Sequence, residues 1–244
     1  MRALVLLLSS LTLAGPAAAE DVARVITTPE LAAKMSGPAS SWSFTLVDAR
    51  TRPEYSESHI RGAVLVPAPL VARQLPAIAK DKARAIVFYC NGPNCTKTVK
   101  AAKAAAELGY KNVYEYKEGL PGWSKAGHRV EGHPLPKVEA PPIPAAELAA
   151  SLGKPGAPYV VDIRDEEEFA SFHIAQSKNI PLDDLPGRVK TIPAGKTIVI
   201  VDHSGHQASV AARVLGSLGR TALRRLDGGL LQWQTAGLPL ALGR

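Results

Sequence analysis

The sequence is poor in cysteine. Cys90 and Cys95 are its only two in 244 residues, too few for the disulfide framework of a small secreted scaffold. Aromatic residues make up only 5%, so Ala and Leu do most of the filling. The net charge is +7, yet no run of Lys and Arg occurs. Scattered positive charge excludes the basic tail of a nucleic-acid binder and leaves a weak bias toward small anionic substrates. No apolar segment is long enough to span a bilayer. With 46% hydrophobic and 21% charged residues, the bulk is neither disordered, collagen-like nor coiled coil.

The N-terminus has the pattern of a cleavable signal peptide over residues 1–19. Met1-Arg2 is a short positive region, and residues 3–14 form a mostly apolar core. Gly15-Pro16 breaks the run, and Ala17-Ala18-Ala19 is a small-residue cleavage site before Glu20. The residue after that site is Glu20 and not cysteine, so no lipid or membrane anchor is expected. The mature protein is expected to be exported: periplasmic in a two-membrane bacterium, secreted otherwise.

The rest of the chain is written twice. Val47-Asp48-Ala49-Arg50 reads against Val161-Asp162-Ile163-Arg164. At the same offset Glu54-Tyr55 meets Glu168-Phe169, His59-Ile60 meets His173-Ile174, and Pro67 meets Pro181. Further on, Cys90 meets Asp202, Leu108-Gly109 meets Leu218-Gly219, Gly119-Leu120 meets Gly229-Leu230, and Trp123 meets Trp233. The expected organisation is one unit over 20–132 and a second over 145–244. Between them, 133–144 carries five prolines in twelve residues and reads as a semi-rigid linker.

Each copy reads as an α/β unit, a mainly parallel sheet flanked by helices. The apolar runs 44–47, 85–89, 159–161 and 197–201 lack polar alternation, as strands buried on both faces do. The Ala-rich stretch 97–108 ends at Gly109, and 208–218 ends at Gly219. Both read as helices stopped by a glycine cap.

The chemistry is expected where the strand 85–89 ends. Cys90 follows it, then a loop, then the helix. Ligands of open α/β sheets bind outside the carboxyl ends of strands. A loop entering a helix N-terminus offers N–H groups and the positive dipole end. Both favour an anion, and both favour a thiolate over a thiol. Cys90 is therefore the candidate nucleophile. The candidate substrate-binding loop is Asn91, Gly92, Pro93, Asn94, Cys95, Thr96 and Lys97. The alternative reading of Cys90 is an inert buried cysteine at a strand end.

Both copies resemble rhodanese-like sulfurtransferase domains. The carrying residues are Val47-Asp48-Ala49-Arg50, Glu54-Tyr55, His59-Ile60-Arg61-Gly62-Ala63 with Pro67, Val87-Phe88-Tyr89-Cys90, Leu108-Gly109-Tyr110, and Glu118-Gly119-Leu120 with Trp123, Ala126 and Gly127. The resemblance implies that Cys90 takes a sulfane sulfur from a donor such as thiosulfate, becomes a persulfide, and passes the sulfur to a thiol or cyanide. Three departures stand out. The fifth position after Cys90 is Cys95 where the family usually has arginine, and the nearest cation is Lys97. The loop is two residues longer than usual. In the second copy Asp202 replaces the cysteine; a carboxylate takes up no sulfur and repels an anion, so that copy is expected to be non-catalytic. Its loop, Asp202 to Gln207 with His203 and His206, reads as a solvated polar loop rather than a metal site.

Asp48 with Arg50, and Asp162 with Arg164, recur in both copies, including the one without a nucleophile. They are read as buried salt bridges or loop anchors. His59 and His173 are read as structural hydrogen-bonders, and Trp123 and Trp233 as core or lid aromatics.

Three functions remain open: an exported sulfurtransferase, a thiol–disulfide redox protein using Cys90 and Cys95, and a non-catalytic module binding an oxyanion or sulfur carrier. Cys95 is read as a residue that resolves or regulates Cys90. A loop of this length lets the two sulfurs meet, but the sequence leaves open whether they are bridged at rest. The expected partners are a small sulfur-containing anion as donor and a thiol or thiol-protein as acceptor. No nucleic acid, metal or cofactor is expected.

Overall fold

A computed structural model describes residues 22–93 and 95–243. The signal-peptide reading of 1–19, with its cleavage site, lies outside the described residues, as does Asn94. The first half runs β1 (Arg24–Val25), α1 (Thr28–Lys34), β2 (Phe44–Asp48), α2 (Arg52–Glu57), β3 (His59–Ile60) and β4 (Val64–Leu65). It continues with α3 (Val71–Ile78), β5 (Ala85–Tyr89), α4 (Lys97–Glu107), β6 (Val113–Tyr116), α5 (Gly119–Lys125) and β7 (Val130–Glu131). The second half runs β8 (Pro142–Ile143), α6 (Ala145–Ser151), β9 (Tyr159–Asp162), α7 (Glu166–Ser171) and β10 (Lys178–Asn179). It ends with α8 (Leu185–Arg188), β11 (Ile198–Val201), α9 (Ala208–Ser217), β12 (Leu223–Leu226) and α10 (Gly229–Thr235).

The repeat read from the sequence is a structural repeat. One sheet has the order β1-β6-β5-β2-β4 and the other β8-β12-β11-β9-β10. All neighbours within both sheets are parallel. The continuous apolar runs follow from this, because helices cover both faces. Val47 and Phe88 face a core closed by Ala101, Ala102 and Ala105 of α4. Leu46, Val87 and Tyr89 face the opposite core, with Trp42 and Trp123. The small alanines let α4 lie close to the sheet, which explains how so few aromatics suffice.

Helix α4 ends as expected. Gly109 sits at φ +89° and Gly219, after α9, at φ +82°. Tyr110 N and Arg220 N reach back to the Ala105 and Leu215 carbonyls at 3.2 and 2.9 Å.

The stretch 133–144 is more than a connection. Pro142 and Ile143 form the edge strand β8, paired to β12. Leu135, Val138 and Ala140 pack against the second core. Proline is tolerated there because an edge strand has a side with no ladder partner.

The halves touch through facing elements. Helix α9 packs on α2, with Arg213 paired to Glu57. Lys100 Nζ meets Glu167 Oε2 at 2.9 Å. Arg52 N donates to Asp183 Oδ1 at 2.6 Å.

Candidate active site

Cys90 follows Tyr89, the last residue of β5, and is 1% exposed. The loop after it is fixed from three sides. From β6–α5, Leu120 N donates to Cys90 O at 2.9 Å. Within the loop, Cys95 N donates to Gly92 O at 3.0 Å, closing a turn. From β2–α2, Arg50 Nη1 donates to Asn91 Oδ1 at 3.4 Å, and Asn91 Nδ2 donates to Glu54 Oε1. Gly119 is essential to this packing. It lies at φ +60°, and a Cβ there would sit 2.3 Å from Cys90 O and 2.6 Å from Gly92 N.

The sulfurs of Cys90 and Cys95 are joined as a disulfide, with their Cα atoms 6.5 Å apart. The folded loop thus brings the two sulfurs together. Cys90 Sγ also lies 3.8 Å from Gly92 O and 3.7 Å from Cys95 O. Gly92 is buried, Cys95 and Lys97 are half-buried, and Pro93 and Thr96 are exposed. Six of the seven proposed loop residues, all but Asn94, can thus be placed.

The charges beside the loop are paired. Arg50 forks onto Asp48, Nε to Oδ1 at 3.0 Å and Nη2 to Oδ2 at 2.6 Å. Arg164 repeats this on Asp162 at 3.0 and 2.7 Å. Both pairs are buried. The reading of these residues as buried salt bridges holds, and Arg50 adds a contact to the loop through Asn91. His59 Nδ1 lies 2.8 Å from Tyr55 O and His173 Nδ1 lies 2.9 Å from Phe169 O, each ring stacked on that aromatic. These are structural roles. Trp123 and Trp233 are core residues at 4% and 2% exposure.

Glu54 is the residue that sequence reasoning missed. It closes a capping box with Thr51 at the start of α2, the Thr-x-x-Glu signature readable in the sequence. What that signature does not reveal is the rest of its surroundings. Besides Asn91, Glu54 meets Lys97 Nζ at 4.0 Å and Gln207 Nε2, from the second half, at 2.8 Å. Burial opposes its charge, but Lys97, Arg50, Thr51 and Asn91 outweigh burial and hold its pKa at about 2. Lys97, the expected cation of the loop, is turned toward this carboxylate.

The second half has the same loop with a different occupant. Asp202 follows β11 and is 2% exposed. Leu230 N donates to Asp202 O at 2.9 Å, matching Leu120 and Cys90. The side chain then accepts from the N–H groups of Gly205, Gln207 and Ala208 at 2.5, 2.6 and 3.0 Å. The carboxylate thus fills the turn that its own loop makes. Burial pushes the Asp202 pKa up, and the three N–H groups oppose that rise. His203 and His206 are both exposed.

Between the halves lies a cavity of about 820 Å³ whose wall includes Arg50, Thr51 and Lys97 from one half and Arg164, Asp165 and Asp183 from the other. The bridged Cys90 lies beneath the loop and not on this wall.

Residues 27–126 and 144–236 both match the model of the Rhodanese-like domain. An uncharacterized protein of Synechocystis is 34% identical over 95 residues, which are 39% of this chain and 53% of that protein. The thiosulfate sulfurtransferase GlpE of Stutzerimonas stutzeri is 31% identical over 88 residues, 36% of this chain and 80% of that enzyme. An HTH-type transcriptional regulator of Mycobacterium tuberculosis is 35% identical over 86 residues, 34% of this chain and 38% of the regulator. The chain thus spans about half or less of the Synechocystis and Mycobacterium relatives. A solved thiosulfate sulfurtransferase of Pseudomonas aeruginosa aligns at 20% identity with a TM-score of 0.42, covering 91% of this chain and 44% of that one.

Proposed function

The chain belongs to the rhodanese-like family, and from that premise we propose that it is an exported sulfurtransferase working through a persulfide on Cys90. Its first half does the chemistry and its second half is a sealed copy. The observation that carries this is the contrast between the two loops. One presents a cysteine at the end of β5; the other fills its own N–H groups with Asp202. The named sulfurtransferases among the relatives support the reaction class.

In the proposed cycle the Cys90 thiolate attacks the outer sulfur of a small anion such as thiosulfate. Sulfite leaves, and Cys90 carries the sulfur. A thiolate or cyanide then takes that outer sulfur and Cys90 returns to its starting state. The positive end of α4 favours the thiolate and the anionic donor. The Cys90–Cys95 bond blocks the first attack, so the cycle starts from the reduced pair. That bond is also the observation favouring a second reading, a thiol–disulfide redox protein.

The test is thiocyanate formation from thiosulfate and cyanide by the reduced chain. Wild type should turn over, and Cys90→Ser should not, because a hydroxyl is a far poorer nucleophile at neutral pH. Turnover by Cys90→Ser would refute the proposal.

A further inference from the structure

We propose that Cys95 resolves the Cys90 persulfide, so that the chain releases sulfide using a dithiol as reductant. This rests on the persulfide reading above and adds a second outcome for the same sulfur.

The geometry is the disulfide itself. Cys95 Sγ reaches Cys90 Sγ with the Cα atoms 6.5 Å apart, inside the ordinary range for a bridge. The attack therefore asks for no rearrangement of the strand or the helix. The second half provides the contrast: its loop turns backbone N–H groups onto Asp202, whereas the first turns a sulfur onto Cys90. The two sulfurs also differ in access. Cys90 is 1% exposed and Cys95 is half-buried at the loop surface.

The chemistry balances without an outside oxidant. Cys90 takes the outer sulfur of thiosulfate and sulfite leaves, giving Cys90 Sγ–SH. The Cys95 thiolate attacks the inner sulfur, Cys90 Sγ. The Cys90–Cys95 bond forms, the bond to the outer sulfur breaks, and its electron pair leaves with hydrosulfide. The two cysteines are oxidised and the sulfane sulfur is reduced. A dithiol then attacks Cys95, the accessible sulfur, and Cys90 departs as thiolate. The second thiol of the dithiol frees Cys95 and the dithiol becomes a disulfide. Overall, thiosulfate and a dithiol give sulfite, sulfide and the oxidised dithiol, whose two protons leave with the sulfide.

The experiment is a single turnover on the full chain. The protein is reduced, freed of reductant, and given one equivalent of thiosulfate without cyanide or thiol. Sulfide and intact mass are then measured. Wild type should release one sulfide per chain and finish two hydrogens lighter than its reduced form. Cys95→Ser and Cys95→Ala should lose that release and stay one sulfur atom heavier until cyanide discharges it as thiocyanate. Should wild type also keep the added sulfur, the resolving role is overturned and the persulfide reading stands. Should no form take up sulfur, the persulfide reading fails and this proposal falls with it.

Discussion

Replacing Gly119 with alanine should distinguish the roles of the two halves of the molecule. The new Cβ would lie 2.3 Å from Cys90 O and 2.6 Å from Gly92 N, both backbone atoms. To restore an ordinary contact of about 3.4 Å, the cysteine loop must move by roughly 1 Å. A displacement of that size at a reacting centre is worth on the order of 10²-fold in rate. The left-handed φ of +60° adds about 1–2 kcal/mol for any residue with a Cβ. Gly229 is the matched control. It has the same φ, and its Cβ would meet Asp202 Oδ1 and Ser204 N at 2.7 Å. Thiocyanate formation and thermal unfolding should be followed in both variants. Both should lose a few degrees of Tm, but only Gly119→Ala should lose about two orders of magnitude in rate. Full activity in Gly119→Ala would show that the loop's position is immaterial. An equal loss in Gly229→Ala would show that the second half takes part in the chemistry.

Asp202→Ala leaves three backbone N–H groups without their acceptor; it should lower stability by roughly 1–3 kcal/mol for each one left unsatisfied with sulfur transfer retained, and a lost transfer rate in a folded variant would contradict this. Glu54 has a folded pKa of about 2 against an ordinary 4.5. Its stabilisation is complete above about pH 4.5 and disappears as pH falls toward 2, some 3 kcal/mol in all. Acid unfolding should therefore be shallower in Glu54→Gln than in wild type; identical pH profiles would refute this. Mass spectrometry of the mature protein should find an N-terminus at or near Glu20, and an intact Met1 in the cell's soluble interior would rule out export.

Much of this architecture was legible because it is local or repeated. The double occurrence of Asp-x-Arg marked the two buried forks, and the glycines after α4 and α9 marked the helix ends. Apolar runs without alternation marked the parallel strands. What stayed hidden depends on long-range placement. Gln207 reaches Glu54 across 153 positions, and no periodicity encodes that. Strand β8 has two residues inside a proline-rich stretch, too short to carry a pattern. Asp202 was recognisable as a lost nucleophile, but its three N–H partners follow only from the turn the loop makes. The Cys90–Cys95 spacing permitted a bridge and could not decide it, because the intervening loop must fold to bring the sulfurs together.

The central claim is that Cys90 carries the sulfur. The most direct measurement uses reduced Cys95→Ser, in which no neighbouring thiol can remove the adduct. After thiosulfate treatment the chain is digested and the added sulfur is located by peptide mass. The account predicts one sulfur atom on the peptide containing Cys90, lost on cyanide treatment with release of thiocyanate. No added sulfur, or sulfur on a peptide that lacks Cys90, would contradict it.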